Sequence, residues 1–339
     1  MPNPLGQVRT VVITGAAGFL GSHLTDAFIE RRGWRIVGID SFAHAGDSKR
    51  FSAEALSSGR LQIHSCDLST PLSRTLIRQI GSVDAIINLA SLSNVDYSLR
   101  EPRLTVNNNV GISLTMLEYA REIHPQVLVQ VSTDEVYGPA ESGVDFSEWS
   151  PIRPSNPYAA SKAAQESIAL AYWRSYGVPL VIVNSTNVFG PRQSVEKYIP
   201  QLVSLISRNL RVSIHARHGV PGTRIYLAVR DWVDAVLYVL DACTTNGMPS
   251  GSSAALPPRF NVAGGLEVDN LDLARQVAGL VTHDLDFELV EGDTFRPGHD
   301  VRYGLDGSRL ASLGWRAQES FKDALRDTVA WYLKHPEWL

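Results

Sequence analysis

The stretch Ser132-Thr133-Asp134-Glu135 places four hydroxyl or carboxyl side chains in a row. It follows the apolar run 127–129, which predicts a buried strand. Ligands bind at the carboxyl ends of strands in an open parallel α/β sheet, and carboxyl groups there are costly to bury unless they are solvated, paired or used. The stretch therefore fits either a solvated pair of loop acids or a general acid beside a general base.

A second reactive pair, Tyr158 and Lys162, lies on the predicted helix 155–176. Their i,i+4 spacing puts both side chains on one helical face. A lysine beside a tyrosine favours the phenolate, so this pair could accept a hydroxyl proton near neutral pH. Lys162 could also be an ordinary surface lysine, but its position relative to Tyr158 favours a catalytic role and, with it, the acid–base interpretation of the carboxyl pair.

A glycine-rich turn, with Gly15, Gly18 and Gly21, separates a predicted strand at 10–14 from a predicted helix at 22–31. Gly15 permits a tight turn, Gly18 permits close approach of a pyrophosphate, and Gly21 permits close packing of the helix on the strand. The start of the helix offers free N–H groups and a partial positive charge to phosphates. This context predicts a dinucleotide-binding βαβ unit.

The next predicted strand, 35–40, ends in Asp40. A carboxylate at that position accepts hydrogen bonds from ribose hydroxyls and repels a 2′-phosphate, so it favours NAD over NADP. Lys49 and Arg50 could in principle serve NADP, but they lie too far beyond the end of the strand to be the first choice.

Short strands alternate with helices as far as the predicted strand 180–184, which predicts an α/β fold with a doubly wound parallel Rossmann sheet. After Asn187, prolines and shorter elements predict a smaller, mixed α/β C-terminal domain. The predicted NAD-binding domain is 1–187 with a return segment near 224–243, and the predicted substrate domain is 188–339.

Composition excludes several classes of function. A net charge of -4 in 339 residues offers no basic excess for nucleic acid. No apolar run approaches the roughly 20 residues of a membrane span, and no signal peptide is evident. Cys66 and Cys243 lie far apart, and the histidines lack metal-ligand spacing, so no metal is assigned. We expect a cytoplasmic, soluble protein.

These elements resemble the extended short-chain dehydrogenase/reductase family and, within it, the dTDP-glucose 4,6-dehydratases. The glycine loop 14–21 is similar to the family's TGxxGFxG motif, and 158–162 to its YxxxK motif. The segment 132–138, STDEVYG, is more specific to the dehydratases. The segments 187–200 and 296–303 are similar to two further dehydratase stretches.

The resemblance implies that NAD is the cofactor and that a nucleotide sugar, dTDP-glucose, is the substrate. The implied cofactor-binding residues are Gly15, Gly18, Phe19, Leu20, Gly21, Asp40, Asp67, Leu68, Leu89, Ala90, Ser91, Asn108, Ser132, Tyr158, Lys162 and Asn187. The implied substrate-binding residues are Ser93, Asn187, Glu196, Lys197, Arg224, Asn261, Arg296 and Tyr303.

The resemblance also implies a reaction. Tyr158, assisted by Lys162, removes the proton from the sugar 4-hydroxyl as hydride leaves C4, and Thr133 hydrogen-bonds the same oxygen. Glu135 then removes the C5 proton, and Asp134 donates a proton to the departing 6-hydroxyl. Return of hydride to C6 gives a 4-keto-6-deoxy sugar.

The resemblance further implies a homodimer in which the helices 107–123 and 155–176 form a four-helix bundle. The alternative is that their apolar faces belong to the internal core.

In the segment 90–98, Leu92, Asn94 and Tyr97 stand where the family pattern has glutamate, histidine and arginine, and Ile225, Ala228 and Arg230 also depart from it. They affect the expected sugar preference, not the reaction class. A 4-epimerase or a decarboxylase is a rival, but neither needs Asp134 to expel a 6-hydroxyl. A 4-ketoreductase usually prefers NADP, which Asp40 opposes. A non-catalytic cofactor sensor would not need Thr133, Tyr158 and Lys162 together.

Overall fold

The computed structural model describes residues 9–244, 255–291 and 302–339. Its strands are β1 Thr10–Thr14, β2 Arg35–Asp40, β3 Leu61–Ser65, β4 Ala85–Asn88, β5 Val127–Thr133, β6 Leu180–Ser185, β7 Asn187–Phe189, β8 Val212–Arg217, β9 Val220–Pro221, β10 Thr223–Ala228, β11 Arg259–Val262, β12 Leu266–Asp269 and β13 Phe287–Glu291.

The α-helices of the same residues are α1 Phe19–Arg31, α2 Ala53–Ser57, α3 Arg74–Ile80, α4 Val95–Arg100, α5 Pro102–Ile123, α6 Pro157–Tyr176, α7 Tyr198–Ser207, α8 Val229–Thr244, α9 Asn270–Val281, α10 Ser308–Ser312 and α11 Phe321–Lys334. Short 3₁₀ turns occur at Ser48–Arg50, Asp134–Tyr137 and Pro336–Trp338. Among these described helices, none is long and apolar enough to cross a membrane.

Seven strands form one large sheet in the order β11-β6-β5-β4-β1-β2-β3. The pairings from β3 through β2, β1 and β4 to β5 are all parallel. Strands β1, β4 and β5 are buried along their whole length, as expected for a sheet covered by helices on both faces. The predicted α/β class with a doubly wound sheet is confirmed.

By its internal contacts the chain divides into two compact units. Unit 1 comprises 9–133, 157–184, 236–244 and 255–260 of the described residues, and unit 2 comprises the remainder. The core of unit 1 packs sheet residues such as Val12 and Ile86 against α5 and α6. The core of unit 2 packs α7, α9 and α11 together.

Unit 2 contains two three-stranded sheets, β12-β10-β7 and β13-β8-β9. In the first sheet β10 runs antiparallel to β12 and parallel to β7. Unit 2 is therefore a mixed α/β structure, in agreement with the texture predicted for the C-terminal part.

The predicted return segment 224–243 is only partly correct. Residues 236–243 lie in unit 1, but the segment begins with β10, which belongs to the small sheet of unit 2. The large sheet is extended by β11, residues 259–262, next to β6. Both segments are short and mix apolar residues with an arginine, so only long-range pairing decides which of them joins the sheet. The segment 134–156, predicted within the first domain, lies in unit 2.

Two helices begin earlier than predicted. Helix α5 starts at Pro102 rather than Asn107, since proline at the first helical position has no N–H to leave unsatisfied. Helix α1 starts at Phe19, directly after the glycine turn, rather than at Ser22. The earlier start of α1 brings its free N–H groups closer to the turn.

Candidate active site

The residues predicted to bind a dinucleotide in unit 1 follow the carboxyl ends of adjacent strands. Gly15 follows β1, Asp40 ends β2, Leu89 follows β4 and Thr133 ends β5. Because these strands are parallel neighbours, their carboxyl ends share one edge of the sheet. Unit 1 thus gathers chemically capable side chains along a single edge, where ligands of such sheets bind.

The glycine turn is sterically closed to side chains. Gly15 has φ +66°, a left-handed conformation that favours glycine. A Cβ at Gly21 would lie 2.1 Å from the carbonyl oxygen of Gly15, so only glycine fits there. Gly18 precedes α1 without a capping side chain, and the amides of the first helical turn are left for another acceptor.

Asp40 is buried, and its two oxygens have different partners. Oδ2 accepts the N–H of Ala17 in the glycine turn at 2.9 Å, and Oδ1 accepts the N–H of Phe42 at 2.9 Å. A carboxylate has about four acceptor positions, so both oxygens retain capacity for ribose hydroxyls. Asp40 therefore ties the turn to β2 and can still bind a ligand.

Thr14 fixes the end of β4 against the glycine turn. Its hydroxyl donates to Asn88 Oδ1 at 2.7 Å and accepts the N–H groups of Leu89 and Ala90 at 3.0 and 3.1 Å. A Cβ at Gly15 would approach the Ala90 backbone to 3.1 Å. Small residues after β4 therefore leave the sheet edge open beside the turn.

Other predicted cofactor residues occupy the same unit. Asp67 is exposed and accepts the N–H of Ser69, whereas Leu68 is buried in the core. Ser91 donates to the carbonyl of Leu92 at 3.3 Å. Phe19 and Leu20, also predicted to bind the cofactor, lie in the first turn of α1, and Asn108 lies on α5. Ser93, predicted to bind the substrate, lies before α4.

Ser132 and Thr133 close β5, and both are buried. Ser132 Oγ has no hydrogen-bond partner among the described residues. A buried hydroxyl without a partner is rare in folded proteins and commonly marks a position that a ligand or water completes. The backbone carbonyl of Thr133 accepts Asn184 Nδ2 at 3.0 Å, which anchors the strand end.

Tyr158 and Lys162 lie in the first two turns of α6, one helical turn apart, and both are buried. The Lys162 Nζ donates to the carbonyl oxygen of Val131 on β5 at 2.7 Å. Burial lowers the pKa of Lys162 to about 8, and the nearby Glu166 carboxylate opposes that shift. Lys162 is therefore a cation near neutral pH but titrates close to the physiological range.

A series of buried side-chain hydrogen bonds connects β5 and α5 with the Tyr158 carbonyl on α6. Gln130 on β5 contacts Gln165 at 3.3 Å, and Gln165 donates to the carbonyl of Asn109 at 2.6 Å. Asn109 in turn donates to Ser161, whose hydroxyl donates to the Tyr158 carbonyl at 2.7 Å. These bonds fix the rotation of α6 relative to β5 and α5.

In unit 2, Asp134 and Glu135 open the 3₁₀ turn that follows β5. Asp134 is buried. Glu135 Oε2 accepts Asn156 Nδ2 at 3.1 Å and lies 3.4 Å from the hydroxyl of Tyr303. Glu135 and Tyr303 are 168 residues apart in sequence, so folding brings two separately predicted site residues together.

Arg224 on β10 joins this group through Tyr303. Its guanidinium carbon lies 4.6 Å from the centre of the Tyr303 ring, and its NH1 donates to the carbonyl of Thr223 at 2.7 Å. The planar fork of arginine suits phosphate oxygens. Arg224, Tyr303 and Glu135 thus form a connected polar group within unit 2.

Other predicted substrate residues of unit 2 lie on separate segments. Asn187 is exposed at the start of β7. Glu196 is exposed and Lys197 half-buried immediately before α7. Arg296 lies outside the described residues.

Asn261 has a structural role in this arrangement. It is fully buried, its Nδ2 donates to the carbonyls of Phe146 and Asp306, and its Oδ1 lies 3.1 Å from the hydroxyl of Tyr137. These contacts occupy both amide hydrogens, so the predicted role of its side chain in substrate binding needs correction.

The departures from the family pattern also have defined contacts. Asn94 Oδ1 accepts the N–H of Tyr97 at 2.8 Å and caps α4. The Tyr97 ring makes an edge contact with His44, with centroids 5.4 Å apart. The N–H of Leu92 donates to Asn109 Oδ1 at 2.8 Å.

Sequence reasoning missed Asn156, Asn184, Glu166 and Arg259. Glu166 lies one further helical turn beyond Lys162, so the spacing argument that paired Tyr158 with Lys162 could have found it. The other three come from segments with no recognisable motif.

The residues of unit 1 fit NAD. The side-chain-free glycine turn, the uncapped start of α1, the Asp40 carboxylate and the unpartnered Ser132 hydroxyl match the pyrophosphate, ribose and polar groups of a dinucleotide. An anionic residue at the ribose position disfavours the phosphate of NADP.

Comparisons with known proteins cover nearly the whole chain. Residues 12–328 match the GDP-mannose 4,6 dehydratase family model. A probable dTDP-glucose 4,6-dehydratase of Sinorhizobium fredii is 33% identical over 97% of this chain and 94% of that protein. The human dTDP-D-glucose 4,6-dehydratase is 31% identical over 97% of this chain and 91% of that protein.

A solved structure extends the likeness to the fold. The dTDP-glucose 4,6-dehydratase of Streptomyces venezuelae, crystallised with NAD bound, has a TM-score of 0.85 and 32% identity, covering 97% of this chain and 98% of that one. Fold and sequence therefore point to the same group of proteins.

Proposed function

Because this chain belongs to the GDP-mannose 4,6-dehydratase family, we propose that it is an NAD-dependent lyase that dehydrates dTDP-glucose to the 4-keto-6-deoxy sugar. The observation that carries this proposal is the order of groups at the end of β5. Thr133 ends the strand, and Asp134 and Glu135 open the turn directly after it. A 4,6-dehydration needs a hydroxyl partner, an acid and a base, and these three neighbours supply them.

NAD would supply the acceptor for hydride from C4 of the sugar and the later hydride donor to C6. The glycine turn of unit 1 would hold its pyrophosphate, and Asp40 would hold its ribose. Leu89, Ala90 and Ser91 border this path along the sheet edge.

Tyr158 is the base for the 4-hydroxyl. The Lys162 ammonium favours the tyrosinate, and the bond from Nζ to Val131 holds the lysine in place. The Thr133 hydroxyl donates to the same sugar oxygen as the ketone forms. These groups lower the barrier to proton removal while hydride leaves C4.

The elimination step falls to the two acids. A ketone at C4 acidifies the hydrogen at C5, and Glu135 removes it; Asn156 holds the carboxylate in place. Asp134 donates a proton to the departing 6-hydroxyl, which leaves as water. The two carboxyl groups thus act on opposite ends of the bond that becomes C5=C6.

The sugar nucleotide is held by charged and polar groups of unit 2. Arg224 binds the diphosphate, supported by its contact with Tyr303. Lys197 and Glu196 contact the nucleoside, and Ser93 contacts the sugar. Arg296 is a second diphosphate ligand by family resemblance.

The reaction is tested with dTDP-glucose deuterated at C4 and purified protein without added cofactor. We expect deuterium at C6 of a 4-keto-6-deoxy product, which requires that C4 hydride be carried by tightly held NAD. No product with dTDP-, UDP- or GDP-glucose, even after NAD addition, would refute the proposal. An epimerised sugar with deuterium still at C4 would favour the 4-epimerase instead.

We also propose a cytoplasmic homodimer built from α5 and α6. These helices pack against each other, yet Leu104, Leu114 and Tyr176 remain 45%, 39% and 52% exposed at their ends and outer faces. A second copy would cover them as a four-helix bundle. Sedimentation should give a dimer, and Leu114→Glu should give a monomer; a monomeric wild-type protein would refute this assembly.

A further inference from the structure

Glu166 and Arg259 form a fully buried ion pair beneath the catalytic edge of unit 1. Arg259 NH2 lies 2.6 Å from Glu166 Oε2, and their side chains are 1% and 0% exposed. Asn184 closes a ring of bonds with them: its Nδ2 donates to Glu166 Oε1 at 2.8 Å, and its Oδ1 accepts Arg259 Nε at 3.0 Å. Each residue comes from a different element, namely α6, β11 and β6.

Burial of this pair is costly. Removing a carboxylate and a guanidinium from water costs several kcal/mol each, and well-packed apolar residues often replace such pairs without loss of stability. Stability alone therefore gives little reason for these residues to be charged. The atoms that the ring contacts point to a different role.

The ring reaches the catalytic residues at two points. Asn184 Nδ2 also donates to the backbone carbonyl of Thr133 at 3.0 Å, so the ring anchors the carboxyl end of β5. Glu166 lies one helical turn beyond Lys162, and its negative charge opposes the effect of burial on the lysine. The contact with Thr133 fixes a position, and the proximity of Glu166 to Lys162 acts through charge.

We propose that Glu166, Asn184 and Arg259 are positioning residues for the dehydratase reaction: Asn184 sets the place of Thr133, and Glu166, oriented by Arg259, keeps Lys162 in its ammonium form. This inference rests on the proposed function. None of the three residues needs to touch substrate or NAD, since they act through Thr133 and Lys162.

The surroundings of Lys162 leave Glu166 as its principal anionic neighbour in unit 1. Within the first three turns of α6, Tyr158 is the other titratable group. Strand β5 offers the Val131 carbonyl, β6 the neutral Asn184, α5 the neutral Asn109 and β11 the cationic Arg259. The residues considered around Lys162 are therefore Tyr158, Glu166, Val131, Asn184, Asn109 and Arg259.

Glu166→Gln retains an oxygen for Asn184 but removes the charge. The ammonium form of Lys162 then loses its anionic support, while the charge of Arg259 adds to the penalty. We expect the alkaline limb of the kcat–pH profile to move down by about one pH unit, which is about tenfold lower kcat above the limb, with a smaller change at acidic pH. Asn184→Leu should lower kcat at every pH without moving the limb.

A direct titration reads Lys162 without turnover. The chain has only five lysines, Lys49, Lys162, Lys197, Lys322 and Lys334, so ¹³C labelling at Cε gives few NMR signals, and Lys162→Met assigns the buried one. We expect Glu166→Gln to lower the titration midpoint of Lys162. Glu122→Gln, which removes an exposed partner of Arg74, is the matched control and should leave it unchanged.

The variants also separate the possible failures. If Glu166→Gln does not fold, Glu166→Gln/Arg259→Gln removes both charges and should still lower the midpoint, by less. An unchanged midpoint and pH limb in the folded variants, with kcat reduced evenly, would overturn the electrostatic role. A wild-type protein without dehydratase activity would refute the proposed function, while the NMR titration would still test the link between Glu166 and Lys162.

Discussion

The candidate cofactor-binding residues of unit 1 and the candidate substrate-binding residues of unit 2 are held differently, each within its own unit. In unit 1, polar groups follow the ends of neighbouring parallel strands, and buried hydrogen bonds hold Thr14, Asp40 and Lys162. In unit 2, Glu135 has a 3.1 Å bond from Asn156 and a longer 3.4 Å contact with Tyr303. These bonds of Thr14, Asp40 and Lys162 measure 2.7 to 2.9 Å, which is shorter than either contact of Glu135.

This difference matches two chemical tasks. A dinucleotide is the same in every turnover and is retained, so a rigid edge suits it. A sugar must enter, react at three carbons and leave, so its ligands need room to adjust. Substitutions in unit 1 should therefore lower activity or stability more than substitutions in unit 2, with fewer intermediate effects.

The largest expected effect is that of Tyr158→Phe in unit 1. Loss of the phenol removes the base for the 4-hydroxyl, so kcat should fall about 10³-fold, within the range for general bases. Bound NAD, released by denaturation and quantified by chromatography, should be unchanged. A rise in KM with kcat preserved would instead assign Tyr158 to substrate binding.

Glu135→Gln tests the substrate side and should lower kcat about 10²–10³-fold. In the proposed mechanism Glu135 takes no part in the oxidation at C4, so that step should still occur. Reduced nicotinamide should then accumulate after mixing with dTDP-glucose and be visible in the near-ultraviolet spectrum. Tyr158→Phe should show no such accumulation. The same absence in Glu135→Gln would contradict the division of labour between the two sides.

A pair of glycine substitutions compares the tolerance of the two units. Gly21→Ala would place a Cβ 2.1 Å from the Gly15 carbonyl, so unfolding free energy should fall by about 1–3 kcal/mol and NAD content should drop. Gly279→Ala lies on α9, where no atom lies within 4 Å of the new methyl group, and should stabilise by about 0.5–1 kcal/mol. Chemical denaturation measures both; equal effects would contradict the steric argument.

The smallest expected effect is that of Tyr303→Phe. Its hydroxyl lies 3.4 Å from Glu135, a long hydrogen bond, so steady-state kcat should fall only about fivefold, equivalent to about 1 kcal/mol. Tyr119→Phe is the control, because the buried Tyr119 hydroxyl has no hydrogen-bond partner among the described residues. A loss as large as that of Glu135→Gln would place Tyr303 in the chemistry itself.

Local patterns account for what the sequence could predict. The bounds of β1 and β2 and the shared helical face of Tyr158 and Lys162 follow from periods of two and 3.6 residues and from the glycine turn. These features depend on neighbours within a few positions. Most of the candidate cofactor-binding features of unit 1 can therefore be predicted from the sequence alone.

Long-range pairing explains what the sequence could not predict. Nothing local indicates that β11, rather than β10, extends the large sheet, or that Asn261 is enclosed by carbonyls. The contact of Glu135 with Tyr303 spans 168 residues. Family resemblance supplied Tyr303 as a site residue, but only the fold identifies its partner.

The position of β11 bears on how unit 1 folds. Arg259 is 75 residues from its partner Asn184 in sequence, so this edge strand pairs through a long chain closure, which slows formation of a sheet. Until β11 pairs with the sheet, the Glu166 carboxylate lacks its partner, the Arg259 guanidinium. A slip of one residue would turn Arg259 to the opposite face and leave the carboxylate buried alone. Charge neutralisation thus selects the register of this edge strand, since only the correct register pairs Arg259 with the buried Glu166 carboxylate.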